Sequence, residues 1–122
     1  MAKILIVDDS GLSRRMMRKI LESAGHEVVE AEDGVSAIEQ YYLQKPDVVF
    51  LDLTMQGMDG WEVLANLRRM DEQARVVIAT ADIQKSTRTM ADEYGAAGFI
   101  NKPFESKNIL DALDALLAKD DR

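Results

Sequence analysis

Three carboxylates, one hydroxyl and one ammonium occupy comparable places in this chain. Asp8 and Asp9 follow the apolar run Ile4-Leu5-Ile6-Val7, and Asp52 follows Val48-Val49-Phe50-Leu51. Thr80 closes the Val76-Val77-Ile78-Ala79 run, and Lys102 follows Gly98-Phe99-Ile100-Asn101. Each alone is ordinary. An Asp there turns the chain or caps a helix, a Thr is a β-branched strand residue, and a Lys before Pro103 is solvated. Brought together, they define a chemistry. Clustered carboxylates raise one another's pKa unless a cation compensates. Hard oxygen donors with an incomplete protein shell suit Mg²⁺, which shares itself with phosphate. Asp52 is then a carboxylate nucleophile toward phosphorus. Mg²⁺ and Lys102 offset charge on the equatorial oxygens, and Thr80 donates to one of them.

The elements that must position these residues are legible from hydrophobic periodicity. Strands are predicted over 3–8, 27–31, 48–52, 75–80 and 98–101. Helices are predicted over 12–24, 34–44, 59–70, 85–94 and 105–117. Gly25 stops the first helix, Asp33 caps the second, and Pro46 ends the segment after it. The first helix is expected to bury the stripe Leu12, Met16, Ile20 and Ala24. The fourth carries a thin stripe of Thr87, Met90, Ala91 and Tyr94, and the last buries Ile109, Ala112, Leu113, Leu116 and Leu117. Five successive βα units predict an α/β fold, a doubly wound parallel sheet with helices on both faces. Nearly continuous apolar strands agree with burial on both sides. Ligand sites in such sheets lie beyond the carboxyl ends of the strands, where the five polar residues stand.

Composition narrows the class. The chain has 122 residues, 47% of them hydrophobic, and no cysteine. One domain spanning 1–122 is expected, with a core that needs no disulfides. Neither a signal-peptide core nor a run of about 20 apolar residues is present, so a cytoplasmic protein without membrane contact is predicted. The net charge of −7 argues against a nucleic-acid-binding face. Arg14, Arg15, Arg18 and Lys19 form a local basic cluster, read either as a solvated helix face or as a patch for an acidic partner.

The chain also carries a set of motifs. These are Val7-Asp8-Asp9-Ser10, Leu51-Asp52-Leu53-Thr54-Met55 with Met58-Asp59-Gly60, Ala79-Thr80-Ala81, and Phe99-Ile100-Asn101-Lys102-Pro103-Phe104. In order and spacing they resemble the receiver domain of two-component response regulators, in particular stand-alone chemotaxis regulators. The resemblance implies a flavodoxin-like (βα)5 fold with strand order 2-1-3-4-5. It implies a signalling switch rather than an enzyme, acting catalytically only in its own phosphorylation and dephosphorylation. Asp52 is implied as phosphoacceptor. Asp9, Asp52 and the Thr54 backbone carbonyl are implied as Mg²⁺ ligands, with Asp8 holding a metal-bound water. Thr80 and Lys102 are implied as the phosphoryl-binding pair, Thr80 and Phe99 as the switch, Thr54 and Asp82 as rate-tuning positions, and Lys102-Pro103 as a cis peptide.

The implied partners are a histidine kinase or phosphotransfer protein, near Gly11, Leu12, Arg14, Arg15 and the Pro103-Phe104 turn, and a downstream protein. The latter would meet the face of the fourth helix, fifth strand and last helix, through Ile83, Lys85, Arg88, Phe99 and Ser106. A monomer or a weak phosphorylation-dependent dimer is expected. Two departures from the family pattern stand out. Gln56 replaces a frequent Pro, loosening the loop beside Gly57, and Phe99 lacks the hydroxyl many relatives have, leaving any switch there to packing.

The remaining residues have plainer readings. His26 is read as a surface residue. Met16, Met17, Met55, Met58, Met70 and Met90 are read as core and loop packing, with shaping of the pocket rim as the alternative for Met55 and Met58. Trp61 is read as partly buried. A haloacid-dehalogenase-like hydrolase would want a second Asp where Thr54 stands. A flavin-type binder would want a glycine-rich loop after the first strand. The charged end Lys119-Asp120-Asp121-Arg122 suits a natural finish and a cut linker equally.

Overall fold

The computed structural model describes residues 1–55 and 57–118. The readings made of Gln56 and of the charged end lie outside the described residues. β1 (Lys3–Val7), β2 (Glu27–Ala31), β3 (Val48–Asp52), β4 (Val76–Thr80) and β5 (Gly98–Asn101) alternate with α1 (Gly11–Ser23), α2 (Gly34–Gln44), α3 (Gly60–Met70), α4 (Lys85–Glu93) and α5 (Ser106–Ala118). The strands form one parallel sheet in the order β2-β1-β3-β4-β5.

Successive side chains of a strand point to opposite faces, and each face of this sheet is covered. Ile4, Ile6, Phe50 and Val77 pack with Met17 and Leu21 of α1 and Ile109 and Leu113 of α5. Leu5, Val7, Leu51 and Ile78 pack with Ala37 of α2, Leu64 and Leu67 of α3, and Ala91 of α4. Full burial of such a side chain contributes about 1.5–3 kcal/mol.

The helix ends follow local chemistry. Ser10, Asp33 and Asp59 cap α1, α2 and α3, accepting from Ser13, Ser36 and Glu62 N–H. α1 and α4 end alike. After α1, Gly25 N–H donates to Glu22 O and His26 N–H to Leu21 O; after α4, Gly95 N–H donates to Asp92 O and Ala96 N–H to Ala91 O. Gly25 and Gly95 have φ of 90° and 83°, the left-handed conformation this termination requires.

The stripe predicted for α1 is displaced by one residue. Leu12, Met16 and Ala24 are exposed, Ile20 is half-buried, and Met17 and Leu21 are buried. Both stripes have helical spacing. What separates them is the rotation of α1 on the sheet, which periodicity does not carry. In α4, Thr87 and Ala91 are buried, but Met90 and Tyr94 are exposed, as are Met16 and Met70 among the methionines read as packing. Trp61 is half-buried, its ring 5.1 Å from that of Tyr94. His26 is half-buried too, its Nδ1 accepting the Ala2 N–H at 3.1 Å.

Candidate functional site

Asp8 follows β1 directly, Asp52 ends β3, Thr80 ends β4, and Lys102 follows β5. These strands are neighbours in register. Val7 stands beside Leu51, Asp52 beside Ala79, and Thr80 beside Asn101. The parallel sheet therefore gathers the four residues at one edge. Strand order reverses between β1 and β3, where open α/β sheets place their ligands.

Asp8, Asp52 and Thr80 are 4%, 6% and 2% exposed, which makes them buried polar groups that need partners. Lys102 Nζ serves the two acids, 2.8 Å from Asp8 Oδ2 and 3.5 Å from Asp52 Oδ2, and Thr80 Oγ1 accepts the Asp82 N–H. Asp8 Oδ1 accepts the Ser10 N–H, and Asp52 Oδ1 accepts the Thr54 N–H. Asp9 is exposed and has no hydrogen-bond or ion-pair partner among the described residues. One oxygen each of Asp8, Asp9 and Asp52 lies within 4.8 Å of the others. That all-oxygen donor set fits a hard divalent cation.

Burial pushes the Asp52 carboxyl above the usual range. The Thr54 N–H and the Lys102 charge pull it back, and the Asp8 charge raises it again. Burial by itself would lower Lys102, but the hydrogen bond to Asp8 and the charges of Asp52 and Asp8 carry it upward. The site thus gathers the Lys102 ammonium and the buried Asp8 and Asp52 side chains in one place, a polar environment suited to stabilising charge.

Two supports lie just outside. Arg14 Nη1 donates to the Asp8 carbonyl at 2.7 Å while its Nε bonds Glu30. At the start of α3, a Cβ on Gly60 would stand 2.5 Å from Leu53 Cα and 2.8 Å from the Asp52 carbonyl oxygen. Glycine lets α3 begin against the backbone that carries Asp52. A cleft of about 620 Å³ opens beside Asp9, lined by Glu32, Asp33 and Met58 among others.

The profile of the response regulator receiver domain matches residues 4–114, a span that includes all five strand-end residues. The chain belongs to this family. It is 42% identical over 116 residues to the chemotaxis protein CheY of Bacillus subtilis, covering 94% of this chain and 97% of that one. Among solved structures, Vibrio cholerae CheY4 superimposes with a TM-score of 0.89 at 30% identity, covering 95% and 98% of the two chains. The CheX-CheY-BeF3-Mg²⁺ complex of Borrelia burgdorferi gives 0.91 at 31%, covering 94% and 88%. The receiver is accordingly a phosphoryl-accepting signalling switch, and its relatives are signalling response regulators. No helix among its described residues is long and apolar enough to cross a membrane.

The other predicted residues divide. Thr54 is exposed beside Asp52. Phe99 is half-buried on β5, with Arg88 Cζ 5.4 Å from its ring centroid. Ile83, Lys85, Arg88 and Ser106 are exposed. The Lys102-Pro103 bond is cis. Asp82, read as a rate-tuning position, has its carboxylate bonded to α4 and the turn before it: Oδ1 accepts the Gln84 N–H at 2.8 Å and Oδ2 accepts the Thr87 hydroxyl at 2.6 Å. The basic cluster is split. Arg14 and Arg18 pair with Glu30, whereas Arg15 and Lys19 are exposed without an ion pair among the described residues. Sequence reasoning missed the bond of Thr87 to Asp82 and the bond of Arg14 to the Asp8 carbonyl. For Thr87, the available signal was an acid just before a helix start, where carboxylates satisfy free N–H groups.

Proposed function

We propose that this receiver takes its phosphoryl group on Asp52, from a histidine kinase or phosphotransfer protein. The observation that carries the reading is the position of Lys102 Nζ, 2.8 Å from Asp8 and 3.5 Å from Asp52 at one sheet edge. Asp52 attacks phosphorus, the bond from phosphorus to the donor's leaving atom breaks, and that atom departs with the electron pair. Lys102 holds charge on the arriving oxygens, and the buried Thr80 hydroxyl donates to one of them. Asp9, Asp52 and the Thr54 carbonyl, with Asp8 through a water, would hold Mg²⁺, which would offset the charge of the acid and the phosphoryl group together. Loss of the group to water at the same site makes the receiver its own slow phosphatase, at a rate on which Thr54 and Asp82 bear.

The donor protein docks at α1 through exposed Leu12 and Met16 with Arg15 and Lys19, rather than through the Arg14 pair with Glu30. Phosphorylation shifts a two-state equilibrium that moves Thr80 and Phe99 and presents the α4-β5-α5 face to a downstream protein. The whole chain acts as one cytoplasmic receiver unit, monomeric or weakly dimeric. The test is amide NMR with beryllofluoride or acetyl phosphate plus Mg²⁺. Shifts around Asp52, Thr80 and α4 are expected in the wild type and absent in Asp52→Asn. A wild type with no Mg²⁺-dependent change defeats the reading.

A further inference from the structure

The segment between Thr80 and α4 is held from three sides. The Asp82 N–H donates to Thr80 Oγ1 at 3.2 Å. The Asp82 carboxylate accepts from Gln84 N–H and from the Thr87 hydroxyl, at 2.8 and 2.6 Å. Asn101 Nδ2 donates to the carbonyls of Thr80 and Asp82, at 3.3 and 3.1 Å. Thr87 is buried in the first turn of α4, and its hydroxyl donates to the Asp82 carboxylate. Gln84, the residue at the helix start, makes no capping bond with its own side chain, which leaves that work to Asp82.

From this chain of bonds we infer that Thr87 is a positioning residue for the phosphoryl site: it holds the Asp82 carboxylate on α4, away from the phosphoryl group, and so lengthens the life of the phosphorylated state. The inference rests on Asp52 being the acceptor. A Thr hydroxyl donates one hydrogen bond, and here the acceptor is a charged oxygen at short range, the stronger kind. Without that donor the carboxylate keeps only the Gln84 N–H, and its side chain gains rotamers. The Asp82 backbone already touches the site through its N–H bond to Thr80 Oγ1, and the inference is that a released carboxylate swings toward that hydroxyl. There it takes a proton from a water attacking phosphorus, as a general base does, and later gives it up to solvent. The water oxygen bonds to phosphorus, the bond to Asp52 breaks with its electron pair returning to the carboxylate, and phosphate leaves.

The test uses the full chain, phosphorylated with acetyl phosphate and Mg²⁺, with loss of aspartyl phosphate followed after donor removal. Thr87→Val is expected to shorten the lifetime about threefold or more, the lower range for coupling between residues in contact. Thr87→Ser, which keeps the hydroxyl, stays near wild type. In an Asp82→Ala background, Thr87→Val changes nothing further. Carboxyl ¹³C titration reads the bond itself: Asp82 is held low first by the Thr87 hydroxyl and then by the Gln84 N–H, so its pKa rises in Thr87→Val. Thr87→Ala serves the same comparison if the valine variant does not fold. An unchanged lifetime in a wild-type background, or the same shortening with Asp82 absent, overturns the inference while leaving Asp52 as acceptor. A wild type that takes no phosphoryl group defeats both, and only that result removes the acceptor.

Discussion

Lys102 Nζ donates to Asp8 Oδ2 at 2.8 Å across 94 residues of sequence. The bond joins the last strand end to the first and passes a cation between two buried acids.

Removing that cation leaves Asp8 and Asp52 facing each other. Lys102→Met is expected to lower stability in metal-free buffer by about 1–3 kcal/mol, the cost of stranding buried polar groups. Mg²⁺ should recover much of the loss, since it restores positive charge among the same oxygens, and should bind the variant more tightly than the wild type. Urea denaturation with and without Mg²⁺ and calorimetric titration check both. Phosphoryl uptake from acetyl phosphate should fall in the same variant.

Asp52 predicts a pH dependence. Its folded-state carboxyl sits above the ordinary value of 3.8, chiefly through burial. The folded state thus favours the protonated acid, and stability falls as pH rises through the folded pKa. Asp52→Asn removes this loss. In metal-free buffer the variant should melt higher than wild type at neutral pH, and the two should converge below about pH 4, the unfolded-acid range. Melting curves across that range decide it.

Glu30 works in the opposite sense. It is drawn below 4.5 by hydrogen bonds from Arg18 and Arg14, which overcome the effect of partial burial. Its contribution is present above the unfolded pKa and lost as pH falls through the folded one. Glu30→Gln should cost about 0.5–1 kcal/mol at neutral pH, modest because these pairs are partly exposed. The difference should vanish in acid. Chemical denaturation at pH 7 and pH 3 measures it.

The face of α1 is testable by substitution. Met17→Ala should cost about 2–5 kcal/mol, as core truncations do. Leu12→Ala and Met16→Ala should stay within about 0.5 kcal/mol while weakening transfer from a phosphorylated donor protein. Urea midpoints and transfer rates separate the two faces.

Much of this receiver is local information. Alternating apolar runs, Gly25 and the caps Asp33 and Asp59 are read one segment at a time. A parallel sheet must then bring residues that follow strands to a common edge, so Asp8, Asp52, Thr80 and Lys102 were legible as a group. That reading required no distances, because strand direction alone does the gathering.

Other features depended on rotation and reach. The turn of α1 by one residue exposes Met16 and buries Met17, and both choices satisfy helical spacing. The Asp82 carboxylate takes the Thr87 hydroxyl as a partner five residues on, a choice that residue type alone does not give. Arg14 looked like a surface cation until β2 brought Glu30 beside it and its guanidinium reached the Asp8 carbonyl. The sequence by itself determined which chemistry collects at the strand ends, since residue type and strand polarity are local. Only the tertiary structure decided which side chains are spoken for, since a hydrogen-bond partner is chosen by packing between elements distant in the chain.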